Sequence, residues 1–145
     1  MSTRTERLKT VLRVRTIQEE QRRGDLARAA AAQGRAAEAA VEAAARYGAR
    51  EVCGVGVPVD LATFLGTRAA ETRRADGVAH AVREQALAEG ETDRARALLT
   101  EARTRTSGLE RLVERAAEEQ RLEVLAADEQ TAEESVRGRR TEDEA

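Results

Sequence analysis

Apolar residues return every three or four positions from Leu8 to Tyr47, which is the spacing of one face of an α-helix. The face is apolar at both ends and polar in the middle. It runs through Leu8, Leu12, Arg15, Glu19, Arg22, Leu26, Ala29, Gln33, Ala36, Ala40, Ala43 and Tyr47. This pattern predicts a first helix over about residues 3–50, packed along that face against a partner helix.

A second periodic stripe lies in the other half of the chain. It reads Leu98, Ala102, Arg105, Leu109, Leu112 and Ala116, with Val113 beside it. After Ala116 the apolar positions move to another face and resume at Leu122, Leu125, Ala132 and Val136. The spacing predicts a second helix over about residues 61–137, interrupted at most near Gly77 or Gly90, and followed by a polar tail over 138–145.

The segment between the two patterns contains residues that end helices. Gly54, Gly56 and the single proline, Pro58, fall within 51–59, and Asp60 stands where a helix N-cap belongs. We therefore expect a bend over 51–59. The fold class predicted for 1–145 is all-α, a single domain formed by a long antiparallel two-helix coiled-coil hairpin.

The helix lengths predict a register for this hairpin. If both helices fold back level with the bend, residue 4 lies opposite about residue 106. The second helix then projects by about 30 residues, or about 45 Å. The projecting end would carry an unpaired apolar stripe, which usually marks a binding surface. In the alternative, a break at Gly90 lets 92–137 pair with 4–50, and the same stripe is core.

Composition limits the kind of core that such helices can form. Aromatic residues make up 1% of the chain and charged residues 36%, and alanine supplies half of the apolar positions. Small side chains bury little apolar surface, so the composition predicts long, thin helices rather than a thick globular core. The same composition is compatible with disorder. Regular leucine spacing and the scarcity of proline favour the helical interpretation.

Charge and residue chemistry argue against several functions. The net charge is −2 with both signs interleaved, which is no nucleic-acid footprint. Cys53 and His80 are too few to form a zinc site, and a thin hairpin offers no pocket that excludes water. We expect no enzyme, catalytic residue, metal or cofactor. No apolar run approaches the length of a membrane helix, so we expect a soluble, cytoplasmic chain.

The layout resembles the FliJ family, small coiled-coil proteins of the bacterial flagellar type III export apparatus. The resemblance covers nearly the full length. It is carried by the opening RLKTVLRVRTIQEEQRRGDLARA, by VPVDLATFL after the bend, and by the closing LERLVERAAEEQRLEVLAADEQTAEESVRGRR. It implies a fold similar to the coiled-coil part of a rotary ATPase gamma subunit. It also implies three partners: the hexameric export ATPase, the membrane export gate protein FlhA, and empty export chaperones.

The resemblance implies two binding surfaces. Aromatic and apolar residues near the bend would contact the export gate, here Tyr47 and Phe64, with Ala40 and Ala43 on the stripe of Tyr47. Arg68 stands where the family usually has an apolar residue. The projecting end would enter the ATPase ring through Leu109, Leu112, Val113, Leu122 and Leu125.

Other interpretations of the same features stay open. Tyr47 and Phe64 also suit a packing role that closes the end of the hairpin. The alternative functions are a general structural or oligomerising coiled coil, and a peripheral stalk subunit of a rotary ATPase.

Overall fold

The computed structural model describes residues 3–49 and 58–143, and these contain two long helices. Helix α1 spans Thr3–Gly48 and helix α2 spans Leu61–Asp143. The two helices pack against each other, and no residue of the described ranges lies in a β-strand. The all-α helical hairpin predicted from the sequence is thus confirmed. Most of the expected bend, over 51–59, lies outside the described residues, and only its last two residues, Pro58 and Val59, are described.

Helix α2 is longer than its sequence pattern predicts. It passes through Gly77 and Gly90 without interruption and continues to Asp143, beyond the expected end near Arg137. Each glycine weakens a helix by about 1 kcal/mol relative to alanine, which long flanking runs of alanine, leucine, arginine and glutamate outweigh. The break at Gly90 that the alternative register needed is therefore not present.

The start of α2 is fixed by an N-cap. The backbone N–H of Thr63 donates to Asp60 Oδ1 at 2.6 Å, and the N–H of Phe64 donates to the Asp60 carbonyl at 3.0 Å. The bond to Oδ1 satisfies a donor that the first helical turn leaves without a partner, and the bond to the Asp60 carbonyl is the first regular bond of the helix. The backbone hydrogen bond from Thr63 is the main reason why the pKa of Asp60 lies below its ordinary value.

We expect Asp60→Ala to loosen the first turn of α2 without unfolding the helix. The measurement is hydrogen exchange at the amides of Ala62 and Thr63, which should become faster in the variant. The wild-type cap needs an ionised carboxylate, and its folded pKa is lowered. Its contribution is therefore complete above the unfolded pKa and is lost as pH falls through the folded one. Equal exchange in both proteins at neutral pH would contradict a capping role.

The contact face of α1 follows the predicted stripe. Apart from Arg22, which is exposed, its twelve predicted positions are buried or half-buried, and Thr5 extends the stripe by one step toward the N-terminus. The contact face of α2 is a strict alternation of three- and four-residue steps. It consists of Val78, Ala81, Gln85, Ala88, Thr92, Ala95, Leu99, Ala102, Thr106, Leu109, Val113 and Ala116.

The stripe that the sequence predicted on α2 is wrong at three positions. Leu98, Arg105 and Leu112 are exposed, and the adjacent Leu99, Thr106 and Val113 face α1 instead. Thr106 is accommodated because its hydroxyl donates to the carbonyl of Ala102 at 3.0 Å. Thr92, 2% exposed, donates in the same way to Ala88. A buried hydroxyl satisfied within its own helix costs little, so threonine serves as a small core residue here.

The chain divides into two compact units. One comprises Met1–Glu20 with Glu101–Ala145, and the other comprises Gln21–Thr100. In the first unit, Arg4 lies 4.0 Å from Glu119 and Glu19 lies 3.7 Å from Arg103. The partner number falls as the α1 number rises, so α1 and α2 are antiparallel there.

These ion pairs also fix the register of the first unit. Residue 4 lies beside residue 119, not residue 106, so the register expected from the helix lengths is wrong by about thirteen residues. Both contact faces advance in the same steps from this anchor. We therefore place Thr5 across from Ala116, Leu8 across from Val113, and Leu12 across from Leu109.

A polar layer follows the two leucine layers. Glu19 occupies a contact-face position, its side chain is only 15% exposed, and its carboxylate faces the guanidinium of Arg103. A charged group in a contact face contributes little to stability but penalises registers that leave it without a partner. The layer is thus suited to hold the Leu8 and Leu12 layers in their observed alignment.

In the second unit the contact is made mainly by small residues. Among the described residues of this unit, Ala40 and Leu99 are the buried apolar side chains. A shallow depression is lined by Ala43, Arg46, Arg73, Arg74 and Gly77. This depression places the end of α1 near residues 73–77 of α2. Ion pairs such as Glu42 with Arg46 support the exposed surface by a few tenths of a kcal/mol each.

Candidate functional site

The residues expected to contact an export gate do not share one environment. Ala40 is buried, and Ala43 and Tyr47 are half-buried along the contact face of α1. Phe64 is half exposed in the first turns of α2. Of the four, Phe64 therefore presents the most open side chain, whereas Ala40 is occupied by packing within the hairpin.

The start of α2 extends past the end of α1. Ala43 and Arg46 lie beside Arg73, Arg74 and Gly77, whereas Phe64 lies about ten residues earlier in α2, or about 15 Å of helix. Tyr47 and Phe64 are therefore at different levels of the hairpin. This offset does not favour the interpretation that the two rings pack on each other to close its end.

Exposed apolar residues cluster around Phe64. Leu61 and Leu65, three residues before and one residue after it, are both more than half exposed. The spacing places all three on one side of the first two turns of α2. They form a small apolar surface, which we call the α2 start, at the end of α2 nearest the bend.

The five residues assigned to an ATPase ring fall into two groups. Leu109 and Val113 are half-buried and lie on the contact face of α2, so they pack against α1. Leu112, Leu122 and Leu125 are exposed. The expectation that all five project beyond α1 is wrong for Leu109, Leu112 and Val113, because α1 extends as far as residue 119 of α2.

Helix α2 nevertheless projects beyond the first turn of α1. As far as Arg137, Ala116 is the last buried residue of α2, and every residue from Ala117 to Arg137 is exposed. From Arg121 to Asp143 the projection measures about 35 Å at the rise of an α-helix. It is shorter than the sequence predicted, but it still carries Leu122 and Leu125.

The apolar stripe changes face where α1 begins. Positions that continue the contact face after Ala116 are polar or small, namely Gln120, Glu123, Ala127 and Gln130. Leu122, Leu125, Ala132 and Val136 form a new stripe, here called the α2 stripe. At about 100° per residue its centre lies roughly opposite Ala116. The change of face seen in the sequence therefore marks the end of pairing with α1.

A shallow groove lies beside the α2 stripe. It is lined by Ala117, Gln120, Arg121, Val124 and Leu125. Glu118 holds the Arg121 guanidinium with two hydrogen bonds of 2.9 and 3.1 Å, and this bonding raises the pKa of Arg121. The pair is exposed and lies beside Ala117, Val124 and Leu125, the apolar lining of the groove.

Metal and membrane chemistry find no support in the part of the chain that the structure describes. No group of three or more histidine, cysteine, aspartate or glutamate side chains within residues 3–49 and 58–143 is arranged to hold a metal ion. Neither described helix has a stretch apolar enough to cross a membrane. Cys53 lies outside the described residues.

Comparison with known protein families, curated proteins and solved structures finds no match to this chain. The functional interpretation therefore rests on the geometry of the hairpin and on its exposed surfaces.

Proposed function

We propose that the chain is a non-enzymatic adaptor, or stalk, of a flagellar type III protein export ATPase complex. In this role it promotes assembly of the hexameric ATPase ring, couples the ring to the export gate and handles export chaperones. The observation that carries the proposal is the projection of α2 beyond α1, with an exposed apolar stripe on the face turned away from the contact with α1. A helix end of this kind can enter a ring without disturbing the hairpin behind it.

The start of α2 supplies the second surface that the role requires. Leu61, Phe64 and Leu65 are exposed together, beyond the end of α1. We assign the export-gate contact to these residues, with Tyr47 at its margin. Ala40 is buried and contributes to this contact only by positioning α1. Both partners would hold the chain at the cytoplasmic face of the membrane, where it is peripheral.

The test adds the chain to its cognate export ATPase and follows ring formation and ATP hydrolysis. We expect stimulation by the wild-type protein. Leu122→Asp combined with Leu125→Asp should return hydrolysis to the unstimulated rate, because charges on the stripe cannot be buried in the ring without a large desolvation cost. The melting temperature should stay nearly unchanged, since both residues lie beyond α1.

A matched control uses the opposite face of the same projection. Ala127→Asp combined with Gln130→Asp places two charges at the same spacing, on the continuation of the contact face, and should preserve stimulation. If the stripe variant stimulates as well as the wild type, the assignment to the ring is wrong. If the wild-type chain leaves the ATPase unchanged, a general structural coiled coil becomes the better description.

A further inference from the structure

Two exposed apolar surfaces lie in the unit formed by Met1–Glu20 and Glu101–Ala145. One is the α2 stripe. The other is a ridge on α1 formed by Val11, Val14 and Ile17, each nearly half exposed, which we call the α1 ridge. The residues of the ridge follow one another at three-residue steps, and none is a contact-face position. At about 100° per residue the ridge runs from the edge of the contact face at Val11 to the opposite side of α1 at Ile17.

The two surfaces carry opposite charge. Between Ala117 and Arg137 there are seven acidic and two basic residues. Between Thr3 and Arg15 there are five basic residues and one acidic residue. Part of this charge is matched within the hairpin, as in the pair of Arg4 with Glu119. The remaining charge disfavours pairing of each surface with its own kind and favours pairing with the other.

The chain cannot join these surfaces within one molecule. The α2 stripe begins at Leu122, beyond the level of Arg4, whereas Val11 lies two turns further along α1 in the opposite direction. The ridge and the contact with α2 also occupy different sides of α1. A partner that covers both surfaces must therefore come from outside the hairpin.

We infer that a second copy of the chain covers them, in a two-fold dimer in which the α2 stripe of each protomer lies on the α1 ridge of its partner. A two-fold axis perpendicular to the helices makes α2 of one protomer parallel to α1 of the other, because α1 and α2 are antiparallel within each protomer. The shared three-residue step lets Leu122 and Leu125 lie on Val11 and Val14 or on Val14 and Ile17. We choose the first alignment because it also sets Glu118 opposite Arg7. The α1 N-termini of the two protomers meet at the symmetry axis.

The two-fold symmetry forms the contact between α2 stripe and α1 ridge twice, so the areas buried by the two contacts add. A stable interface buries roughly 800 Å² per partner, and a two-fold dimer forms each contact twice. The charged rims make association fast and sensitive to salt, whereas the few leucine and valine side chains keep it weak. We therefore expect reversible dimerisation in the micromolar range, independent of the function proposed above. Because the dimer covers the α2 stripe, ring binding and dimerisation would exclude each other.

Sedimentation equilibrium of the full chain tests this dimer without any ATPase. We expect a monomer–dimer equilibrium that weakens when NaCl is raised from about 50 to about 500 mM, because salt screens the charged rims. Arg7→Glu should raise the dimer dissociation constant by about tenfold or more, since it sets like charges opposite each other in both contacts. Glu118→Arg should have a similar effect.

The double variant Arg7→Glu with Glu118→Arg is the decisive measurement. It restores opposite charges across each contact, so it should recover most of the affinity that each single change removes. Circular dichroism checks that all three variants keep the wild-type helical content. A chain that remains monomeric at every concentration overturns the proposal. So does a dimer that is indifferent to these charges, or an open-ended series of oligomers in place of a dimer.

Discussion

Leu99→Asp is expected to lower the free energy of unfolding by about 4 kcal/mol, whereas Leu98→Asp should lower it by less than about 1 kcal/mol. Leu99 is 4% exposed on the contact face of α2, and Leu98, its neighbour in sequence, is 43% exposed. Removing a buried leucine leaves a cavity, and a carboxylate placed there also loses its hydration. Neither cost applies at position 98.

The two variants form a matched pair for chemical denaturation. Leucine and aspartate differ in helix propensity by about half a kcal/mol, and this difference is common to both positions. The remaining contrast therefore reports burial alone. Equal destabilisation of the two variants would contradict the contact face observed on α2. A larger loss for Leu98→Asp would favour the stripe predicted from the sequence.

The sequence predicted the contact face of α1 well because its large and small apolar residues are well separated. No large apolar residue adjoins Leu8 or Leu26, and only Val11 adjoins Leu12. A seven-residue repeat that accommodates all three leucines has few alternatives. The polar residues in the middle of this face, including Glu19, did not change the prediction, because the apolar residues at both ends determine which side of α1 faces α2.

The face of α2 was harder to read because its apolar residues come in adjacent pairs. Leu98 with Leu99, and Leu112 with Val113, each offer two phases that differ by one position. A prediction that expects leucine at every step selects Leu98 and Leu112. The observed contact face instead includes Thr92 and Thr106. Their hydroxyls are satisfied by backbone carbonyls of the same helix, which a pattern of apolar residues cannot predict.

The register of the hairpin could not come from helix lengths. Counting back from the bend assumes that both helices begin and end level with each other. The structure instead lets the start of α2 extend past Gly48, because side-chain layers rather than loop length set the alignment. The distribution of charged residues does carry information on the register. The basic first turns of α1 match the acidic stretch that starts at Glu118, as the pair of Arg4 with Glu119 shows.

Candidate sites were predicted more coarsely than the fold. Leu122 and Leu125 were correctly placed on a projecting end, since the stripe changes face before them. The α1 ridge is hard to separate from the contact face in the sequence, because Val11 and Val14 lie within two positions of Leu12. The ridge is exposed because α1 is rotated so that other positions contact α2, and this rotation is seen only in the structure.

Leu109→Asp should destabilise the first unit by about 2–3 kcal/mol, and Leu112→Asp by less than about 1 kcal/mol. Leu109 is half-buried, on the layer that the register assigns to Leu12, whereas Leu112 is nearly half exposed. The loss at position 109 is smaller than at Leu99 because water already reaches part of the side chain. Melting followed by circular dichroism measures both.

This comparison decides whether residue 109 of α2 packs against α1 or lies on a free end beyond it. If residue 109 lay on a free end of α2, as the helix lengths alone suggested, both variants would melt with the wild type and differ only in partner binding. A large loss of melting temperature for Leu109→Asp alone supports the register anchored by Arg4 with Glu119. The surface available to partners at this end of the chain then begins after Ala116, and variants that test binding must be placed at Leu122 and beyond.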